Sequence, residues 1–215
     1  MNRSMIINMI KEELAVLAPV LTKELSIPET TYTYEYDENN LASCHATTHT
    51  RVLTIVDIEY DKRINFNPEG INNFVGVFPP CMKEQALKYI IRHCIFHEHR
   101  HAWQYTHNKQ QSIKHHNAQK YSLGLRAHGE SEVEMDANDY AISMAKDELE
   151  TIAFKLHKTT QCMGGTFNAY HKEYQGYYLK LAKAYTLPKV AKATAITVGI
   201  LGTAYLLKTL IKKRK

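Results

Sequence analysis

The chain has 215 residues, 44% hydrophobic and 23% charged, which suits one good-sized domain or a domain plus an appendage and argues against long disorder. Its 9 glycines and 6 prolines exclude a collagen-like or linker-rich protein. The net charge of +5 comes from the stretch after residue 179, which has nine basic and no acidic residues. The 18 basic and 22 acidic residues before it give a net charge of −4, so no nucleic-acid partner is expected.

The first predicted element is an amphipathic helix over residues 4–25. Apolar residues recur there at helical spacing, and Ser4 is a candidate for its N-cap. Pro19 is expected to bend or end the helix, because proline lacks the amide hydrogen of the helical ladder. The few apolar residues near the N-terminus are too short a run for a secretory signal.

Three strands are predicted next. Residues 30–37 alternate, with tyrosines 32, 34 and 36 on one face, and residues 50–60 are rich in β-branched side chains. Residues 63–67 form a short third candidate. The sequence Asn67-Pro68-Glu69-Gly70 after it is typical of a turn.

Helices dominate the rest of the chain. Residues 83–106 are the strongest prediction, and residues 107–129 are interpreted as a polar loop with one short helix, its His107, His115 and His116 in solvent. Further helices are predicted over residues 130–157 and 167–184. This order of elements predicts an α+β fold. The inward stripe of the helix at 83–106 consists of Ala86, Leu87, Ile90, Ile91, Cys94 and Ile95.

The C-terminal segment, residues 188–215, is set apart by composition. Residues 193–207 carry no charge and are apolar all round, and a run of four basic residues closes the chain. We expect residues 190–211 to associate with or span a membrane, with the main domain, residues 1–187, in the cytoplasm. The alternative is a helix buried against the domain or a partner.

The four cysteines, at positions 44, 81, 94 and 162, have no CxxC spacing, which predicts reduced thiols; a Cys44–Cys81 pair remains an alternative.

Residues 97–101, His-Glu-His-Arg-His, match the pattern H-E-x-x-H. Side chains four apart on a helix face the same way, so His97 and His101 can reach one metal ion, and both lie within the apolar stripe. Glu98 points to one side, where it can take a proton from water activated by the metal. Hydrogen-bonded core histidines are the alternative. His93, one turn earlier, could be a further ligand, but a supporting role behind His97 is favoured.

A third ligand is sought among the many acids after residue 130. The helical wheel places Glu134 on one face with small residues such as Ala137 and Ala141, while the neighbouring acids fall on the opposite face. Glu134 is therefore the candidate ligand, with favourable charge at a helix N-terminus as its alternative explanation. Asn138, one turn later, could hydrogen-bond the back of a ligand histidine.

These residues resemble the gluzincin metallopeptidases, above all the small single-domain zincins of the ImmA/IrrE-like type. The resemblance rests on His97-Glu98-x-x-His101, on the later run with Glu134, Ala137, Asn138, Tyr140 and Ala141, and on the R-I-x-x-N-like segment at 63–67. It implies a zincin-like domain that binds Zn²⁺ through His97, His101 and Glu134. It also implies that Glu98 is the general base in the hydrolysis of a peptide or protein substrate.

Other interpretations stay open. The donor that stabilises the tetrahedral oxyanion is not chosen by the sequence; the candidates are His128, Arg126, Tyr121 and Tyr140. A catalytically inert, metal-binding regulatory protein and a membrane adaptor that works through its tail are the main competing hypotheses. A DNA-associated protease is weaker, because the main domain is acidic. Zinc is the expected metal for two histidines and a glutamate with one open position.

Overall fold

The computed structural model of the chain describes residues 2–76, 78, 80–121, 131–149 and 151–152. The chain divides into two compact units, Met1–Leu149 and Glu150–Lys215. The predicted boundary at residue 187, the predicted helix at 167–184 and the apolar tail lie outside the described residues and stay predictions. Within the described residues, no helix is both long and apolar enough to cross a membrane.

The first helix, α1, spans Arg3–Glu24, close to the prediction. Its N-cap is Asn2 and not Ser4, since the Asn2 side chain accepts a hydrogen bond of 2.8 Å from the Met5 amide. Of the two outcomes expected at Pro19, a bend or an end of the helix, the end is excluded, because the helix runs past Pro19 to Glu24. Leu21, beyond the proline, is buried, so packing on the core compensates for the missing backbone bond.

A three-stranded mixed sheet follows α1, with strand order β1-β3-β2. The strands are β1 (Thr31–Thr33), β2 (Ala42–Arg51) and β3 (Thr54–Phe66). Strand β1 runs parallel to β3, whereas β2 pairs antiparallel with β3 through a hairpin. The predicted strand at 30–37 is therefore much shorter, and β2 was not predicted.

The two predicted strands at 50–60 and 63–67 are in fact parts of β3 and its hairpin. The strand continues through Asp61 and Lys62, between the two predicted segments, with a register shift. Lys62 has a positive φ of 55° at this shift. A β-bulge accommodates such residues without ending the strand.

The predicted turn at Asn67-Pro68-Glu69-Gly70 is the start of helix α2, Pro68–Gly76. The Asn67 side chain accepts a hydrogen bond of 3.0 Å from the Gly70 amide, as an N-cap residue does, and proline is well suited to the first helical position. The turn was thus a helix-start signal. A short 3₁₀ turn, Pro80–Met82, leads into the next helix.

Helix α3, Lys83–His107, is the central element. It contacts β2 and β3 on one side and α1, α2, α4 and α5 on the others. All six residues of the predicted apolar stripe are buried, which confirms the helix and its inward face. The described structure is α+β, as predicted.

Two further helices complete the described part of the chain. Helix α4, Lys109–Tyr121, is the short helix predicted within residues 107–129, but it takes up more of that segment than expected. The structure buries His115 in it, contrary to the expectation of a solvent-exposed side chain. Asn117 of α4 bonds both the amide and the carbonyl of Ile55 at 2.8 Å, so α4 packs on β3. Helix α5 spans Glu132–Met144. A turn at Ala145 interrupts the helix predicted over 130–157; residues 146–149 and 151–152 are helical again, and residues 153–157 lie outside the described part of the chain.

Candidate metal centre

Three side chains from two helices meet at one point. The Nε2 atoms of His97 and His101 lie 2.9 Å apart, and the Glu134 carboxylate lies 3.4 Å from the former and 3.5 Å from the latter. One ligand atom from each residue falls within 4.8 Å of the others. This group could hold a metal ion, and it is the set that the sequence singled out.

The two helices place these residues for simple reasons. Four residues separate His97 from His101, which is about one turn of α3. Glu134 lies in the first turn of α5, where the Ser131 hydroxyl accepts a hydrogen bond of 3.2 Å from its amide. Ala137 and Ala141 on the same face are fully buried, and their small side chains let α5 approach α3 closely.

The ring of His101 is held by a side-chain amide. Its Nδ1 lies 2.7 Å from Oε1 of Gln104. The Gln104 amide nitrogen donates to the Val133 carbonyl at 2.9 Å and to Asp136 at 2.8 Å, so the amide oxygen is the atom that faces the imidazole. The proton of neutral His101 therefore sits on Nδ1, and the Nε2 lone pair points towards His97 and Glu134.

The charges around the cluster favour a cation. Burial alone would lower the pKa of His101, but the hydrogen bond to Glu134 and the charges of Glu98 and Glu134 raise it overall. A buried carboxylate and two imidazole nitrogens this close need a shared proton or a bound cation between them. Two imidazole nitrogens and one carboxylate are also the donor set that zinc takes in catalytic sites.

His93 and Asn138 lie beside the cluster and contact each other. The His93 ring stacks on His97 with centroids 5.9 Å apart, and the Asn138 side chain hydrogen-bonds His93. Burial, and next the neighbouring His97, lower the pKa of His93 to about 3, so its ring is neutral. His93 thus supports His97 by packing, and Asn138 acts on His93. Nδ1 of His97 is buried and has no hydrogen-bond partner among the described residues.

Glu98 is buried, with 6% of its surface exposed, on the helix turn between the two histidines. Its charge reaches two tyrosines and two cysteines around it, because it contributes to the raised pKa of each. Within the described part of the chain no hydrogen bond engages its carboxylate. The group is therefore free to accept a proton next to the metal-binding cluster. The two cysteines and two tyrosines whose pKa the charge of Glu98 raises are Cys44, Cys94, Tyr60 and Tyr105. Cys44 and Cys94 are free thiols, as expected for the described cysteines.

The candidates for the oxyanion donor fare differently. Tyr140 lies against Arg100, whose guanidinium is 5.4 Å from its ring centre, and edge-on to Phe96. His128, Arg126 and the side chain of Tyr121 lie outside the described residues. Their assignment stays a prediction.

Sequence reasoning missed Tyr105 and Gln104. The Tyr105 ring stacks on His101 with centroids 6.1 Å apart, and burial, then the charges of Cys44, Glu98 and Glu134, raise its pKa. Its hydroxyl therefore stays protonated and able to donate. Gln104 lies three residues after His101, and Tyr105 lies four residues after it. Residues at these spacings are neighbours on a helix, so helical spacing could have indicated both.

No family model, no curated protein and no solved structure matches this chain.

Proposed function

We propose that the protein is a zinc-dependent metallopeptidase. The observation that carries the proposal is the convergence of His97, His101 and Glu134 beside the buried carboxylate of Glu98. Two of the three proposed ligands and the proposed base come from neighbouring positions of α3, an arrangement that suits metal-assisted hydrolysis. The small sheet packed on α3, with the glutamate supplied by α5, supports a zincin-like domain.

Zinc is the metal we propose for this site. His97 and His101 would bind it through Nε2 and Glu134 through a carboxylate oxygen. In such a site the metal lowers the pKa of a water molecule and polarises a carbonyl group.

The residues of this chain then divide the work. Glu98 takes a proton from the attacking water and passes it to the nitrogen of the leaving amine, so the same carboxylate serves as base and then as acid. Tyr105, which stays protonated, joins Tyr140 as a candidate among the described residues for donating a hydrogen bond to the developing oxyanion. His101 keeps its Nε2 lone pair towards the site because Gln104 accepts its other proton.

The test uses the full-length protein and its Glu98→Gln variant. We expect both to bind about one zinc ion per chain, measured by metal analysis, because Glu98 is not a ligand. Only the wild type should cleave unfolded casein or a mixed-sequence fluorogenic peptide library. The expected loss of rate in the variant is at least about 100-fold, the lower end for general-base catalysis.

Two results would overturn the proposal. A wild-type protein without zinc, even after zinc is added, removes the metal site. Equal cleavage by wild type and Glu98→Gln removes the proposed mechanism. Zinc binding without cleavage of any peptide in the library would instead favour the inert, metal-binding regulatory protein.

We propose further that residues 190–211 associate with a membrane and hold the catalytic domain at its cytoplasmic face. The support is compositional: an uncharged run at 193–207 is followed by Lys208 and, after three uncharged residues, by the basic cluster at 212–215. Deleting residues 188–215 should abolish co-flotation with vesicles that contain one-third anionic lipid. A truncated chain that floats as well as the full chain would contradict this proposal.

A further inference from the structure

Gln104 makes contacts on both sides of the metal-binding cluster. Its amide oxygen faces the ring of His101 at 2.7 Å, and its amide nitrogen donates at 2.9 Å to the carbonyl of Val133. Val133 immediately precedes Glu134 in α5. One side chain therefore connects a histidine of the cluster with the backbone that carries its glutamate.

The same amide nitrogen donates to Asp136 at 2.8 Å, and Asp136 is itself fixed. Arg100 binds both oxygens of that carboxylate, at 2.8 and 3.0 Å, and its guanidinium lies 3.9 Å from the centre of the Trp103 ring. A two-pronged bond between arginine and a carboxylate restricts the orientation of both groups. Gln104 is thus held at both hydrogens by acceptors that cannot turn freely.

We infer that Gln104 is a positioning residue that fixes the tautomer of His101 and the distance between α3 and the Glu134 segment together. The inference rests on the proposed metal site but concerns the free protein as well. The amide oxygen of Gln104 bonds His101, and its amide nitrogen bonds Val133 and Asp136 of α5. Because Gln104 is only 2% exposed, water cannot readily replace a lost bond.

The chemistry of the amide makes the inference specific. A glutamate at position 104 would still accept the Nδ1 proton of His101, but it has no hydrogen to give to Val133 or Asp136 and places two carboxylates together. A leucine of similar size would make none of these bonds. The variants Gln104→Glu and Gln104→Leu therefore separate the bond to the histidine from the bonds to α5.

The matched control is Gln111→Leu. Gln111 also links to α5, through a bond of 3.2 Å from its amide nitrogen to Glu132, but no contact joins it to the three cluster residues in the described structure. Loss of an exposed glutamine contact should leave the site unchanged. This variant shows how much any loss of a link to α5 matters by itself.

Two measurements on the full-length proteins test the inference. Zinc affinity is determined by competition with a chromophoric chelator, and the tautomer of His101 is read in the metal-free protein by long-range ¹H–¹⁵N correlation. We expect Gln104→Leu to weaken zinc binding 10- to 100-fold, as loss of a ligand's hydrogen-bond partner typically does. The wild-type spectrum should show the proton of His101 on Nδ1, and the Leu variant should lose that preference.

The outcomes distinguish the possible errors. Gln104→Glu should keep the Nδ1 tautomer yet still bind zinc more weakly, because α5 is no longer held. If Gln104→Leu binds zinc as tightly as Gln111→Leu and the tautomer does not change, the inference is wrong although the metal site stands. If the wild type binds no zinc, the proposed function fails, and the tautomer measurement still decides whether Gln104 positions His101.

Discussion

Five consecutive ionisable residues, 97–101, lie on a largely buried turn of α3, and each meets a different environment. His97 and His101 face Glu134, while Arg100 pairs with Asp136. His99 is fully buried: its Nδ1 donates to the Ile95 carbonyl at 2.7 Å, and its Nε2 lies 3.1 Å from the Tyr32 hydroxyl. The remaining residue, Glu98, is proposed to act on the attacking water molecule. Burying so many polar groups costs free energy unless each has a hydrogen-bond or charge partner, which favours a functional role for this turn.

His99 leads to a prediction about pH in the metal-free protein. Burial lowers its pKa from 6.5 to about 4, although the bond to the Ile95 carbonyl partly opposes this. Between pH 6.5 and about pH 4, His99 therefore binds a proton in the unfolded chain but not in the folded chain. Stability is therefore retained above pH 6.5 and falls as the pH drops towards 4, by roughly 2 to 3 kcal/mol from this residue.

Urea unfolding of wild type and His99→Gln at pH 7 and pH 4.5 measures the effect. The variant has no titrating group at position 99, so its stability should fall less between the two pH values. Other acids and histidines contribute equally to both proteins and cancel in the comparison. Identical pH dependence in the two proteins would show that His99 is not the neutral buried group described above.

Among the elements, those with a strong apolar period were predicted, whereas a strand held by pairing with its neighbour was not. Helix α3 followed from its stripe, and Glu134 followed from the alanine face of α5, because burial repeats with the helical period in both. Strand β2 is rich in threonine and histidine and only partly buried, so no alternation marked it. Its partner β3 holds it in place, and such pairing is not visible in a local pattern.

The hairpin between β2 and β3 contains an unfavourable residue. Arg51 pairs with Thr54, which leaves a two-residue turn, and its first residue, Val52, has a φ of 61°. A β-branched side chain is strained there, where glycine is preferred. Because Val52 is 93% exposed, it contributes no packing to the core.

We predict that Val52→Gly stabilises the protein by about 1 kcal/mol, through relief of this strain. Urea unfolding at neutral pH measures the change. Leu53→Gly is the control, since the neighbouring residue of the turn does not have a positive φ, and glycine there should stabilise nothing. A Val52→Gly protein less stable than wild type would contradict the strained conformation.

On the scale of the whole molecule, the candidate metal site brings together parts that are distant in the sequence. α3 is surrounded by the other described helices and the sheet. α5, which comes after the segment 122–130 in the sequence, packs on it. His97 and His101 come from α3, and Glu134 comes from α5. An ion bound by all three would join the centre of the domain to its last described helix.

Zinc should therefore stabilise the folded domain and not merely occupy its surface. A ligand that binds only the folded state adds RT ln(1 + [L]/Kd), about 2.7 kcal/mol when free zinc is 100 times the dissociation constant. We expect that increase for the wild type and for Glu98→Gln, whose ligands are intact, in urea unfolding with and without zinc. His97→Ala should show almost none. Glu134→Gln should show a smaller increase than wild type, because the amide is a weaker ligand than the carboxylate. If His97→Ala gains as much as the wild type, zinc stabilises the chain from another place, and the site on α3 and α5 is not the one that binds it.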